Sequence, residues 1–217
     1  MHLDRYDNPV STTSVSAKDL YVDAMDRLLS GDARIEETFE AATKEDPSFA
    51  LAFCGLARIR QMLGNIPGAR EAMESATANT GDLTEREAAH VNAMALLTSG
   101  RVPAAYQLIR DHLKQYPRDV MLAQTCTSVF GLIGFSGLPG REAETLAYTE
   151  SLLPHYGNDW WFLCQHAFSL VETGQVKPAT TMIEKSLALH PRNAHAAHIR
   201  AHIYYEAGES KAGAQYL

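Results

Sequence analysis

The pattern that most restricts what this chain can fold into is a recurring order of marks. An apolar stretch with helical spacing comes first, then a glycine, then a second helical stretch carrying small residues, then a proline. Ala50 to Asn79 holds Leu56-Ala57, Gly64, Ala69, Met73 and Ala76. Arg86 to Pro117 holds Ala93, Leu96, Gly100, Ala105, Ile109 and Pro117. Trp160 to Pro191 holds Ala167, Leu170, Gly174, Ala179, Ile183 and Pro191, and a last segment from Ala194 holds Ala201, Tyr204 and Gly208. Gly174 and Gly208 stand 34 residues apart, and Gly64 and Gly100 stand 36 apart. Periods of this length belong to arrays of stacked helical hairpins.

Each mark has a physical reason. Ala57, Ala69, Ala93, Ala105, Ala167 and Ala179 are small enough for two helices to cross closely. A glycine after a helix takes the left-handed turn that other residues resist. Pro47, Pro117, Pro154 and Pro191 are read as stops, because proline has no backbone donor and clashes with the preceding turn. No alternating run is long enough for a sheet. The expected fold class is all-α, a right-handed solenoid of tetratricopeptide (TPR) type. Residues 1–16 are expected to form an extended N-terminal arm, and residues 17–217 about five and a half hairpins, the last incomplete. The first hairpin runs from Ala17 to Pro47. The fourth is irregular, with helices over 120–132 and 141–153 around a glycine-rich link at 134–140. An unfinished final repeat implies that the natural chain continues or that a second subunit covers it, since solenoids need polar caps.

Composition narrows the function. The net charge of −7 argues against partners rich in phosphate, whether nucleic acid or anionic membrane. The three cysteines, Cys54, Cys126 and Cys164, are odd in number and form no CxxC pair, so neither a disulfide framework nor a structural zinc knot is expected. No apolar leader follows Met1 and no run is long enough to span a bilayer. A cytoplasmic location is the expectation.

Several segments resemble the tetratricopeptide repeat protein 38 family, including its bacterial members. They are Tyr6-Asp7-Asn8-Pro9, Asp46 to Ala52, Gly131 to Gly137, Asp159-Trp160-Trp161-Phe162, His166-Ala167-Phe168, and His195-Ala196-Ala197-His198 with His202. The resemblance reaches over nearly the whole chain and implies the TPR-type fold. The family is longer, and its C-terminal part has no counterpart here.

In a TPR-type array, positions 2, 5 and 9 of each first helix commonly face the concave side. Numbering each repeat so that its turn glycine is position 15 gives Leu51, Cys54 and Arg58, then Glu87, His90 and Met94, then Met121, Gln124 and Ser128. Trp161, Cys164 and Phe168 follow, and then His195, His198 and His202. The candidate groove residues are therefore Arg58, His90, Gln124, Trp161, Cys164, Phe168, His195, His198 and His202. The three histidines fall within about 60° of one another on a helix. His198 and His202 have the i,i+4 spacing that lets two imidazoles share a metal ion, which makes them the weak metal candidates beside the alternative of a polar groove wall. Glu206 could orient His202.

His166 reads as a core histidine. Cys164 has no basic neighbour in sequence to activate it. The glycine link lacks a Gly-Lys-Ser/Thr ending, and Ser136 lacks the strand-to-helix setting of a nucleophile elbow. Asp159 is read as a helix cap and Trp161 as an aromatic anchor facing the groove. These features predict a binding module that presents a concave groove to a peptide or protein partner. The second reading is a small-molecule or metal-binding protein, possibly enzymatic, with a histidine- and aromatic-lined groove; the third is a homodimer through the uncapped C-terminal repeat. No cofactor motif, and no residue set for a reaction, is found.

Overall fold

The computed structural model describes residues 1–217. They form twelve α-helices. The first six are α1 (Val15–Ser30), α2 (Ile35–Glu45), α3 (Ala50–Met62), α4 (Ile66–Ala78), α5 (Glu85–Thr98) and α6 (Val102–Gln115). The short α7 (Val120–Gln124) precedes a 3-10 turn at Gly134–Ser136, and α8 (Arg141–Tyr156), α9 (Trp160–Glu172), α10 (Val176–Leu189), α11 (Ala194–Glu206) and α12 (Ser210–Tyr216) follow. No helix is long and apolar enough to cross a membrane.

The repeated glycines perform one repeated task. Gly64, Gly100, Gly174 and Gly208 take φ values of 79°, 78°, 78° and 72°. After each, the next residue's N–H reaches back to a carbonyl five residues earlier: Asn65 to Arg60 at 2.8 Å, Arg101 to Leu96 at 3.0 Å, Gln175 to Leu170 at 2.8 Å and Glu209 to Tyr204 at 2.9 Å. This is the Schellman closure, and it satisfies carbonyls that a helix end leaves bare. The second helices then start on side-chain or proline signals. Asn65 accepts from the Gly68 N–H, and Pro67 and Pro103 stand in the first turns of α4 and α6.

The chain divides into two compact units, Met1–Leu28 with Ala33–Ala123, and Leu29–Asp32 with Gln124–Leu217. In the first unit α3 packs on α2, α4 and α5, and α4 also meets α5. Gly55 lies at the α2·α3 crossing, where a Cβ would come within 2.1 Å of the Phe39 ring. That approach explains a glycine in a helix interior, where it otherwise costs about 1 kcal/mol. In the second unit α9 packs on α8, α10 and α11. Its core includes Cys164, Ala167, Leu170, Val171, Ala179, Ile183, Ala196, Ile199 and Ile203. The small residues expected at close crossings, Ala57, Ala69, Ala93, Ala105, Ala167 and Ala179, are all buried.

Three readings are corrected. Pro154 does not stop its helix: it lies inside α8, which runs on to Tyr156 and ends at Gly157 with φ 57°. Only His155 and Tyr156 of the helix lie beyond it, so the missing donor and the crowding of the ring interrupt little helix. The expected helix over 120–132 breaks after Gln124. There Leu132 N–H turns back to the Thr125 carbonyl at 2.8 Å, and a Cβ on Gly134 would meet the Val129 carbonyl oxygen at 2.2 Å. Finally, the chain does carry a sheet, a two-residue antiparallel ladder pairing His2 with Val10 and Leu3 with Pro9. It is closed by Asp4, whose carboxylate accepts from the Tyr6 and Asn8 N–H groups at 2.8 and 2.9 Å.

Candidate functional site

The second unit contains a cleft of about 220 Å³ lined from three directions. Phe168, Ser169 and Glu172 come from α9, Arg141, Glu142 and Thr145 from α8, and Ser128, Val129, Gly134 and Phe135 from the link. The turns at 125–136, which follow the break after Gln124, leave Phe130 and Phe135 at the surface, with Phe135 lining the cleft. These rings are 74% and 72% exposed, with centroids 5.7 Å apart. Phe168 is nearly buried and stands edge-on to His202, centroids 6.2 Å apart at 81°. Burial raises the Glu172 carboxyl; His202 opposes the shift, Glu206 and Glu142 add to it, and Arg141 opposes it. The cleft therefore joins an apolar mouth to a carboxylate-rich end.

Beside Phe168, α11 presents the histidines. His198 and His202 bring their Nε2 atoms to 3.1 Å, with ring centroids 4.7 Å apart. No set of three His, Cys, Asp or Glu side chains is placed to hold a metal ion. His195 turns elsewhere: its Nδ1 lies 3.2 Å from the Leu29 carbonyl, and its ring rests where a Cβ on Gly31 would stand. Burial lowers its pKa; the Leu29 carbonyl opposes the shift and the charge of His198 adds to it.

The structure also reveals a charged cluster in the first unit that the residue-by-residue reading passed over. Asp119 is 3% exposed. Its carboxylate accepts from Arg86 Nη1, from His112 Nε2 and from His90 Nδ1, all at 2.9 Å. His90 turns its other nitrogen to the Met121 sulfur at 3.3 Å. The Nδ1 of His112 is buried without a partner, which assigns that ring the Nε2–H tautomer. Burial pushes the Asp119 carboxyl up, but the charge of His90, hydrogen bonds from His112 and His90, and the charge of Arg86 together hold it well below the usual carboxylate range.

This cluster holds the arm. Arg86 Nη2 donates to the Pro9 carbonyl at 2.7 Å, and Asn8 Nδ2 donates to the Arg118 carbonyl at 3.0 Å. Glu87 accepts from the Ser11 N–H at 2.7 Å and from its hydroxyl at 2.5 Å. The same Glu87 completes a capping box with Thr84 at the start of α5. The signal was present in sequence: Arg86, Glu87 and His90 share the inward helical phase of Val91, Ala93, Met94 and Leu97. Polar residues on a buried face need buried partners.

Several expected groove residues are therefore placed differently. His90 is fully buried in the cluster and is no groove wall. Trp161 is 2% exposed and packs edge-on to Tyr156 at 5.6 Å, so it is a core ring and no exposed anchor. Cys164 is also buried, and burial pushes its thiol up, away from reactivity. Arg58 donates to Gln61 on its own helix at 2.9 Å. Gln124 is half-buried, and its amide nitrogen has no partner. Phe168, His198 and His202 are brought together; the remaining six are not part of that group. Asp159 caps α9 as read, accepting from the Phe162 N–H at 2.9 Å, and His166 is a core histidine bonded to Thr149 at 2.9 Å.

No protein-family model matches the chain. Among solved structures it is similar to TTC0263, a thermophilic TPR protein of Thermus thermophilus. The two share 18% identity and a TM-score of 0.55, over 88% of this chain and 98% of that one. It is also similar to a tetratricopeptide repeat protein of Parabacteroides merdae, at 16% identity and a TM-score of 0.50, over 94% of this chain and 78% of that one. Helix order, glycine closures, close alanine crossings and these two likenesses agree: the fold is an all-α helical repeat of TPR type.

Proposed function

We propose that this chain is a binding module whose second unit takes an extended peptide segment, anchoring one apolar side chain in the cleft floored by Phe168. The observation that carries the reading is the exposed ring of Phe135 lining a cleft of about 220 Å³, with exposed Phe130 packed against it at 5.7 Å. Paired exposed aromatics beside a concavity are the usual chemistry of a peptide anchor site. The size of this cleft supports the peptide reading over the small-molecule one. A drug-sized ligand or cofactor occupies roughly 300–1,000 Å³, whereas one side chain with its flanking backbone needs less. Arg141 and Glu172 at the cleft supply the polar contacts that fix direction.

The resemblance to the tetratricopeptide repeat protein 38 family, carried by segments such as Gly131 to Gly137 and Asp159 to Phe162, is part of the same proposal. So is a reducing compartment such as the cytoplasm, which suits three buried cysteines that form no disulfide. The test is selection from a displayed peptide library on the full chain, followed by anisotropy titration of the selected peptides. Peptides sharing one apolar anchor, bound at least about tenfold more weakly by Phe135→Ser, are expected. A selection without a shared anchor, or peptides bound equally by wild type and Phe135→Ser, overturns the reading.

A further inference from the structure

We propose that His198 and His202 form a two-histidine chelate for a borderline divalent cation, Zn²⁺, Cu²⁺ or Ni²⁺, with water completing its coordination. The peptide reading neither requires this site nor explains it.

The geometry comes first. The two Nε2 atoms lie 3.1 Å apart. With metal–nitrogen bonds of about 2.05 Å, that separation corresponds to an N–metal–N angle of about 98°. The value falls between the right angle of square or octahedral coordination and the tetrahedral angle. A cation is within reach of both nitrogens with the backbone as the helix holds it, once the rings turn about their side-chain torsions to aim both lone pairs at it. Regular α-helix sets this distance, because residues four apart stand one above the other on the same face.

The rings are also oriented and accessible. His198 is exposed and His202 half-buried. His202 is steadied on one side by the edge of Phe168. Glu172, which lines the neighbouring cleft, and Glu206, one turn along from His202, are the carboxylates coupled to this corner. Their negative charge favours a cation there. No third His, Cys, Asp or Glu reaches coordinating distance, so the remaining positions belong to water. That leaves the metal open to a further ligand.

The protons balance without an added reactant. One neutral ring now donates its Nε2–H to the other ring's Nε2. On metal binding that proton moves to Nδ1 of the same ring, and both Nε2 lone pairs face the ion. Two imidazoles and no carboxylate select borderline cations over Mg²⁺ and Ca²⁺, which prefer oxygen.

The experiment uses the full, chelator-stripped chain. Zn²⁺ and Ni²⁺ are titrated calorimetrically into wild type, His198→Ala, His202→Ala, the double variant, and His195→Ala as the control. One site per chain is expected, weakened at least about tenfold by either single change and lost in the double variant, with His195→Ala binding like wild type. Both target side chains reach solvent, and circular dichroism verifies that α11 is retained. A second readout is NMR line broadening by sub-stoichiometric Cu²⁺, expected to centre on His198, His202 and Phe168. An unchanged isotherm in the double variant, or broadening centred on His2 and the N-terminus, overturns the proposal.

Discussion

Replacing Asp119 tests the buried cluster most directly, because one carboxylate there answers Arg86, His90 and His112 at once, each at 2.9 Å. Asp119→Ala leaves the Arg86 guanidinium nearly dry with its partner gone; its side chain is 6% exposed. Removing one member of a buried ion pair costs about 3–5 kcal/mol, since the survivor keeps its desolvation penalty. Urea unfolding followed by circular dichroism reads this out. With a slope of about 2 kcal/mol/M, the midpoint falls by about 1.5–2.5 M. The double variant Arg86→Met/Asp119→Leu recovers only the part due to the orphan guanidinium, because buried His90 and His112 still lack their acceptor. The sign with pH is fixed as well. A carboxyl held below its ordinary value stabilises the fold fully above about pH 4, and this contribution disappears as pH falls through the lower folded value. Wild type should therefore show an acid-labile component that the double variant lacks. A midpoint shift under about 0.5 M for Asp119→Ala, close to 1 kcal/mol, refutes the claim that this cluster holds the first unit and its arm together.

Two further outcomes follow from single contacts. Gly55→Ala places a Cβ 2.1 Å from the Phe39 ring. Overpacking of about 1–3 kcal/mol should then exceed the gain in helix propensity of about 1 kcal/mol, and thermal unfolding should shift downward. His166 has its pKa lowered by burial, with Glu150 opposing. The unfolded chain then binds its proton first, so stability rises as pH increases through the ordinary histidine range near 6.5. Replacing His166 with Gln flattens that rise in a series of urea midpoints.

The fold was legible because its signals are redundant. A single glycine after an apolar run is weak evidence, but Gly64, Gly100, Gly174 and Gly208 recur with alanines at fixed offsets on either side, and each makes the same backbone closure. Proline was less dependable. Pro47, Pro117 and Pro191 each fall just beyond a helix end, yet Pro154 sits in the last turn of α8. The mark is identical, but a proline two residues before a helix end has almost no helix beyond it to displace, whereas one in mid-helix bends everything that follows. The break after Gln124 was missed for a different reason. Thr125, Cys126, Thr127 and Val129 continue a helical apolar pattern, and only the crowding at Gly131 and Gly134, where a Cβ would strike backbone, shows that the chain must turn there.

The site was harder to read because its residues are defined by departure from the repeat. Asp119, Asp159 and Asn193 stand at the same place in their repeats, just ahead of a first helix, each with its N–H bonded to a carbonyl three residues earlier. Asp159 and Asn193 use their side-chain oxygens to cap α9 and α11. Asp119 also turns its carboxylate to Arg86, His90 and His112, and the helix it precedes is only five residues long. The inward charges of α5 thus bear on the arm that Arg86 and Glu87 hold, and the irregular fourth repeat is a second, separate departure from the pattern. That irregularity exposes Phe130 and Phe135 beside the cleft of the second unit. The two proposed sites therefore draw on both sources: the irregular repeat supplies Phe135 with Phe130 beside it, and the regular repeat positions supply Phe168, His198 and His202.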